Sequence, residues 1–213
     1  MGRRKKEPAS VHRETIAKAA EQLFARGGFE AATMNDIAKE AGYSKATIYV
    51  YFADKEEIVH FLVLKSMKML YEHISEAVAG QAPAKEKYLG ICSALVNYQE
   101  QYPFYFTLAL GEIEVDFKKE DRLPLKKEIF EVGEQINRKI EKFIREGIRV
   151  GELRPDIPVL QTIFLFWAAL AGVIQMSANK ESYLRQAAGV SRQQFLTDGF
   201  ERLYRLIAME DGK

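Results

Sequence analysis

Between Ser44 and Lys55 the chain reads SKATIYVYFADK, a run in which hydroxyls, amines and methyls recur at helical spacing. At about 100° per residue, Ser44, Ile48 and Phe52 fall within about 40° of one direction, so Ile48 and Phe52 form the inward side. Ala46 and Val50 then point nearly opposite, with Lys45 and Tyr49 on one flank and Thr47 on the other. That outward set suits an extended anion with readable edges. Lys45 can donate to a phosphate or a guanine, the hydroxyls of Thr47 and Tyr49 can hold phosphates, and the methyls of Ala46 and Val50 fit thymine C5-methyl groups. Lys55, at the start of the next helix, brings a charge and open N–H groups for a further phosphate. Thr33, Ser44 and Tyr51 complete this candidate DNA interface.

Other constellations are weaker. Glu57 and His60 have the Glu-x-x-His spacing of di-iron helical bundles, which need a second such pair and two more glutamates. Neither His12 nor His73 has a glutamate three positions before it, so Glu57 reads as a helix-start charge. No H-E-x-x-H, P-loop or G-x-G-x-x-G run occurs, and no metal, cofactor or catalytic residue is expected. Cys92 reads as a small buried hydrophobe. The acidic run Glu112, Glu114, Asp116, Glu120, Asp121, interrupted by Lys118 and Lys119, reads as a solvated helix end.

The positioning elements must come from 213 residues, 47% hydrophobic and 29% charged, which is ordinary globular composition. The 31 basic and 30 acidic side chains are unevenly placed: ten basic against seven acidic residues lie in the stretch through Lys55. The front is therefore positive and the remainder negative, which suits an anionic partner at the N-terminal end. A single cysteine excludes an internal disulfide framework and points to a cytoplasmic home. MGRRKKEPAS has a positive start without an apolar run behind it and reads as a flexible basic arm, residues 1–10. From Ile157 to Asn179 no residue is charged, long enough to cross a bilayer. Pro158, Gln161, Thr162, Gln175 and the small group Ala168, Ala169, Ala171, Gly172 argue instead for a helix buried on all sides, with no membrane partner.

Periodicity and breakers divide the chain into helices, with no convincing strand. Ile16, Ala20, Leu23 and Phe24 mark a helix from Val11 to Arg26, stopped by Gly27-Gly28. Thr33 caps the next, Gly42 ends it, Ser44 caps a third, and Asp54 caps a long fourth. Longer helices follow at about 84–101, 103–116, 124–150, 157–179 and 191–209. Two short helices around a glycine turn, backed by a longer one, fit a helix-turn-helix in residues 11–55. Residues 56–213 then form an all-helical body.

The run TIAKAAEQLFARGGFEAATMNDIAKEAGYSKATIYVYFADKEEI resembles the DNA-binding domain of TetR-type transcriptional regulators across most of residues 11–60. Gly-Gly-Phe, the Thr before xDIAxxAG, Ser-Lys-x-Thr-x-Tyr-x-Tyr-Phe and Lys-Glu-Glu occur in family order. Tyr43 and Val50 depart from it, standing where a small aliphatic residue and a histidine are common. The resemblance implies an all-α body that binds a small-molecule effector and forms a homodimer through its last two helices. Effector candidates on the helices so placed are Met67, Tyr98, Tyr102, Phe106, Phe130 and Trp167, which suggest a mostly apolar, aromatic or cationic molecule stacked on tyrosines. Dimer candidates are Ala168 and Gly172 with Phe200, Leu203 and Tyr204. The expected function is a repressor on a palindromic double-stranded operator, not an enzyme. The rival readings are an all-helical enzyme or carrier with an incidental basic head, and a ligand-free nucleoid binder.

Overall fold

The computed structural model describes residues 7–110 and 124–209. Among these lie ten helices: α1 Ala9–Ala31, α2 Met34–Ala41, α3 Lys45–Tyr51, α4 Lys55–Ala77, α5 Ala84–Gln101, α6 Pro103–Ala109, α7 Pro124–Arg149, α8 Val159–Asn179, α9 Glu181–Ala188 and α10 Arg192–Arg205. The described residues include no strand, only an isolated bridge between Leu153 and Ala208. The acidic run from Glu112 to Asp121 and the first six residues of the expected basic arm lie outside the described residues.

The chain divides into two compact units, and within α4 the division falls between Ser66 and Met67. The first unit is built from α1, α2, α3 and the first half of α4, with residues 124–129 of α7. Ile16, Ala20, Phe24, Ile37, Ile48, Phe52, Ile58 and Leu62 are among its buried side chains. Helix α1 starts at Ala9, two residues earlier than its stripe shows, and breaks at Gly28, whose φ of 80° and ψ of 164° leave the helical region. Gly42, at φ 73°, closes α2 in the left-handed conformation that glycine adopts without a Cβ penalty.

The second unit takes the rest of α4, α5, α6, most of α7, and α8 to α10. Its core is aromatic at the centre: Tyr88 is buried, donates its hydroxyl to the Phe200 carbonyl at 3.0 Å, and has the rings of Phe166 and Tyr204 at 5.8 and 5.2 Å. Cys92 is buried beside it, and burial pushes its thiol up to about 12, so it is inert as a nucleophile at neutral pH. Helix α9 lies outside the helices expected from the sequence, and none of its residues is buried. Helix α8 corrects another expectation. Its most apolar window has mean hydropathy 1.8, yet only 28% of that window is buried, so it is not enclosed on all sides.

Gly147 is held by close approach. The N–H groups of Glu152 and Leu153 both donate to its carbonyl, and an added Cβ would lie 2.6 Å from Leu153 Cδ1 and Cγ. At Gly133 the nearest atom to an added Cβ is Met67 Cε at 3.6 Å, an ordinary contact. Gly147→Ala should therefore lose about 1–3 kcal/mol through overpacking, partly offset by helix propensity, whereas Gly133→Ala should be neutral or gain up to about 1 kcal/mol. Denaturant unfolding of the two variants side by side measures the difference.

Candidate nucleic-acid interface and effector cavity

The head is organised by local capping. Asp36 N–H donates to the Thr33 hydroxyl at 3.2 Å, while Thr33 N–H donates to the Asp36 carboxylate at 3.0 Å. The Thr33 hydroxyl and N–H bonds hold the Asp36 carboxyl below its ordinary 3.8. Their contribution is thus complete above that value and is lost only as pH falls through the lowered one. The Ser44 hydroxyl accepts from Thr47 N–H at 3.1 Å and lies 2.8 Å from the Thr47 hydroxyl, which starts α3 where the sequence places it.

Helix α3 has the two faces expected. Ile48 and the following Phe52 are buried, at 0% and 1% exposure. Lys45 and Ala46 are exposed, Tyr49 is 47% exposed and Val50 76%. An amine, a phenol and a bare isopropyl group therefore share one outward surface.

Arg13, Glu57 and His12 hold that surface in place through contacts between residues far apart in the sequence. Arg13 donates to the Tyr51 carbonyl at 2.6 Å and to the Glu57 carboxylate at 3.0 Å, with its guanidinium 4.1 Å from the Phe52 ring centroid. Glu57 also accepts from Ala53 N–H at 2.7 Å, so it serves the start of α4. The His12 ring lies 4.9 Å from the Tyr51 ring, and its Nδ1 is 2.7 Å from the Tyr43 hydroxyl. Tyr43, the departure from the family pattern, thus joins α1 to the turn before α3. Spacing along the chain gives no signal for these contacts, because His12 and Arg13 meet their partners 31 to 44 residues away.

Besides the caps Thr33 and Ser44, two more of the candidate DNA residues have structural duties. The Lys55 ammonium donates to the Phe29 and Ala32 carbonyls at 2.8 and 3.0 Å and sits 4.0 Å from the Phe29 ring centroid. With two of its three donors on α1, Lys55 is a clamp rather than an open phosphate donor. Tyr51 is half-buried between His12 and the Arg13 bond to its carbonyl.

In the second unit a cavity of about 240 Å³ is lined by Met67, Leu70, Ala109, Leu110, Gly133, Ile136, Asn137, Phe164 and Trp167. Its polar groups are tied together, since Trp167 Nε1 donates to Asn137 Oδ1 at 3.1 Å. Phe106 lines a neighbouring void of about 10 Å³ that shares Leu70, Ala109, Leu110 and Trp167. Met67, Trp167 and Phe106 are therefore brought together. Tyr98, Tyr102 and Phe130 line neither space: Tyr98 is buried in core packing, whereas Tyr102 and Phe130 are 36% and 39% exposed. Stacking on tyrosines is not what this cavity offers.

The candidate dimer residues separate as well. Ala168 and Gly172 are exposed on α8, in line with Leu160, Phe164 and Met176 at four-residue spacing. Phe200 and Tyr204 are buried against α5 and α8 within the chain itself, and Leu203 is half-buried. The apolar stripe of α10 thus faces its own core, with Phe200 and Tyr204 packed there.

A head of two short helices backed by a longer one, with a capped, outward polar α3, together with a helical second unit, defines a helix-turn-helix transcriptional regulator. The chain belongs to the TetR family: residues 16–61 match "Bacterial regulatory proteins, tetR family" and residues 85–188 match "Tetracyclin repressor-like, C-terminal domain". It is 28% identical over 149 residues to the fatty acid metabolism regulator protein of Bacillus subtilis, covering 68% of this chain and 72% of that protein. The match to the regulator TtgR of Pseudomonas putida is 39% over 77 residues, 36% of each chain. Among solved structures, FadR of Bacillus subtilis in complex with stearoyl-CoA shares the fold at TM-score 0.66 and 22% identity, covering 89% of this chain and 96% of that one. The ketosteroid regulator KstR2 of Mycobacterium tuberculosis does so at TM-score 0.65 and 21% identity, covering 93% and 95%.

Arg13→Ala should cost about 1–3 kcal/mol in the head by leaving a charge and a carbonyl without their partner, and Arg13→Lys should restore little because it lacks the planar fork. Hydrogen exchange at the amides of residues 44–52 reads this directly, with faster exchange expected in both variants.

Proposed function

We propose that the protein is a cytoplasmic, ligand-responsive repressor that binds a palindromic operator as a homodimer and releases it when an apolar effector occupies the second unit. The observation that carries this reading is α4. One helix, Lys55–Ala77, begins among the residues that hold α3 and continues through Met67 and Leu70 in the cavity wall. An effector that displaces those side chains acts on the element that also carries the head. Two heads must meet successive major grooves about 34–36 Å apart, so a small tilt of each α4 is enough to spoil the fit.

The outward face of α3 supplies the reader: Lys45, Thr47 and Tyr49 for phosphates, Ala46 and Val50 for base edges. Thr33, Ser44 and Tyr51 position it. The apolar stripe on α8, from Leu160 through Phe164, Ala168 and Gly172 to Met176, supports dimerisation, since a partner helix would cover what the chain leaves exposed. At Gly172 nothing lies within 4 Å of an added Cβ, so a second backbone can approach there. The cavity lining suits an apolar chain or ring. The relatives that regulate fatty acid metabolism and carry stearoyl-CoA make a long acyl group the first candidate.

Lys45→Ala and Tyr49→Phe should fold normally and lose operator affinity across all sequences, with a shallower salt dependence for Lys45→Ala. Val50→Ala should instead change preference at one base pair by about 1–3 kcal/mol. Electrophoretic shift assays on an operator and its single-base variants separate the two patterns. Gly172→Glu should yield monomers by light scattering and lose operator binding with them. For the effector, an acyl thioester titrated with and without operator should differ in affinity by about 150-fold, which is around 3 kcal/mol of coupling. Equal affinities would overturn the switching mechanism for that ligand.

A further inference from the structure

The second unit contains another concavity, about 790 Å³, with chemistry opposite to that of the apolar cavity. Its walls are the last turns of α4 from Ser75, the loop Ala79–Pro83, the start of α5, and the face of α7 that runs on to Glu152. Four basic side chains line it, Lys87, Lys139, Lys142 and Arg149, against two acids, Glu146 and Glu152. Both acids are already engaged. Arg149 donates to Glu146 at 2.5 Å, and the Glu152 carboxylate accepts the Ala84 N–H. The lysines are not: among the described residues none of the three forms an ion pair, and Lys139 has only the Tyr71 ring centroid at 5.6 Å.

Glu146 is held below the usual carboxylate range by the Arg149 hydrogen bond and charge, with Lys87 and Lys142 adding to it, so these two lysines share one wall of the cleft with it. Ser75, in the wall, has a buried Oγ with no hydrogen-bond partner. A solvated basic helix face is convex and leaves its hydroxyls to water. Here unpaired ammonium groups and an unpaired hydroxyl face a single recess.

We propose that this cleft binds a phosphorylated small molecule, with Lys87, Lys139 and Lys142 holding the phosphate oxygens and the Ser75 hydroxyl donating to one of them. Lysines act as point charges on phosphate, and two net positive charges at the recess call for a ligand with at least two negative ones. The volume lies within the range of about 300–1,000 Å³ for metabolite sites and is large for inorganic phosphate alone. This inference stands on the cleft's own residues and holds whether or not the repressor reading does. Both cavities border α4, and Leu70 and Ser75 are separated by about 7–8 Å of helix rise. A nucleotide in the cleft alone and an amphiphile with its tail in the apolar cavity are thus two sources of one phosphate chemistry.

The test is calorimetric titration of the full chain with inorganic pyrophosphate at physiological ionic strength. One site per chain is expected, with affinity falling about tenfold or more in Lys87→Ala/Lys142→Ala. Neither lysine is buried, so both variants should keep the wild-type unfolding midpoint. Lys18→Ala/Lys180→Ala, with the same charge removed from exposed positions elsewhere, should bind as wild type does. Absence of saturable binding to the wild type, or an equal loss in the two double variants, overturns the site. ADP and dodecyl phosphate then identify the source. Tighter binding of ADP than of pyrophosphate supports a nucleotide, and tighter binding of dodecyl phosphate that Trp167→Ala abolishes supports an amphiphile spanning both cavities.

Discussion

A helix of seven residues cannot hold its shape alone in water, and α3 has that length. Everything the head can do therefore depends on what fixes α3 from outside. Ile48 and Phe52 tie its inner side to the core, and the Ser44 cap supplies the first turn. Arg13 closes the other end, with one guanidinium bonding the Tyr51 carbonyl, pairing with Glu57 and covering Phe52. Because α3 is held from behind, its outer side is free to carry an exposed lysine, tyrosine and valine that add nothing to the core.

The second unit meets a different constraint. It must bury a long uncharged helix, and it does so on one side only. Thr162, Ile163, Phe166, Leu170, Ile174 and Ser177 of α8 face inward, where the Tyr88 cluster and α10 fill the core. The opposite side keeps Leu160, Phe164, Leu165 and Met176 more than half exposed. An apolar surface of that kind is stable in water when something covers it, which is the physical basis for reading it as a subunit contact. The polar outer side of α10 and the burial of Phe200 and Tyr204 leave α8 as the apolar part of such a contact.

Two recesses of opposite character border the same helix, α4. One is apolar, with its single polar pair satisfied internally by the Trp167 to Asn137 bond. The other collects three lysines that form no ion pair among the described residues. Burying an apolar group in the first gains free energy from leaving water, and placing an anion in the second gains it from Coulomb attraction. The two sites can therefore distinguish tail from head in a ligand that has both.

Sequence alone determined what local rules govern. The caps at Thr33 and Ser44, the left-handed Gly42 and the three-to-four spacing of Ile48 and Phe52 act over a few residues, so the head's helices and the two faces of α3 were legible in order. Composition also disclosed that α8 is long and uncharged. Only the tertiary structure decided which apolar residues turn inward and which charges are occupied. Tyr88 and Phe200 meet across 112 positions, and Lys55 reaches back 26 to the end of α1. A periodic stripe looks the same whether it faces its own core or a partner, and a lysine reads as free until the carbonyls it bonds are brought beside it. These outcomes depend on long-range packing, which spacing along the chain does not encode.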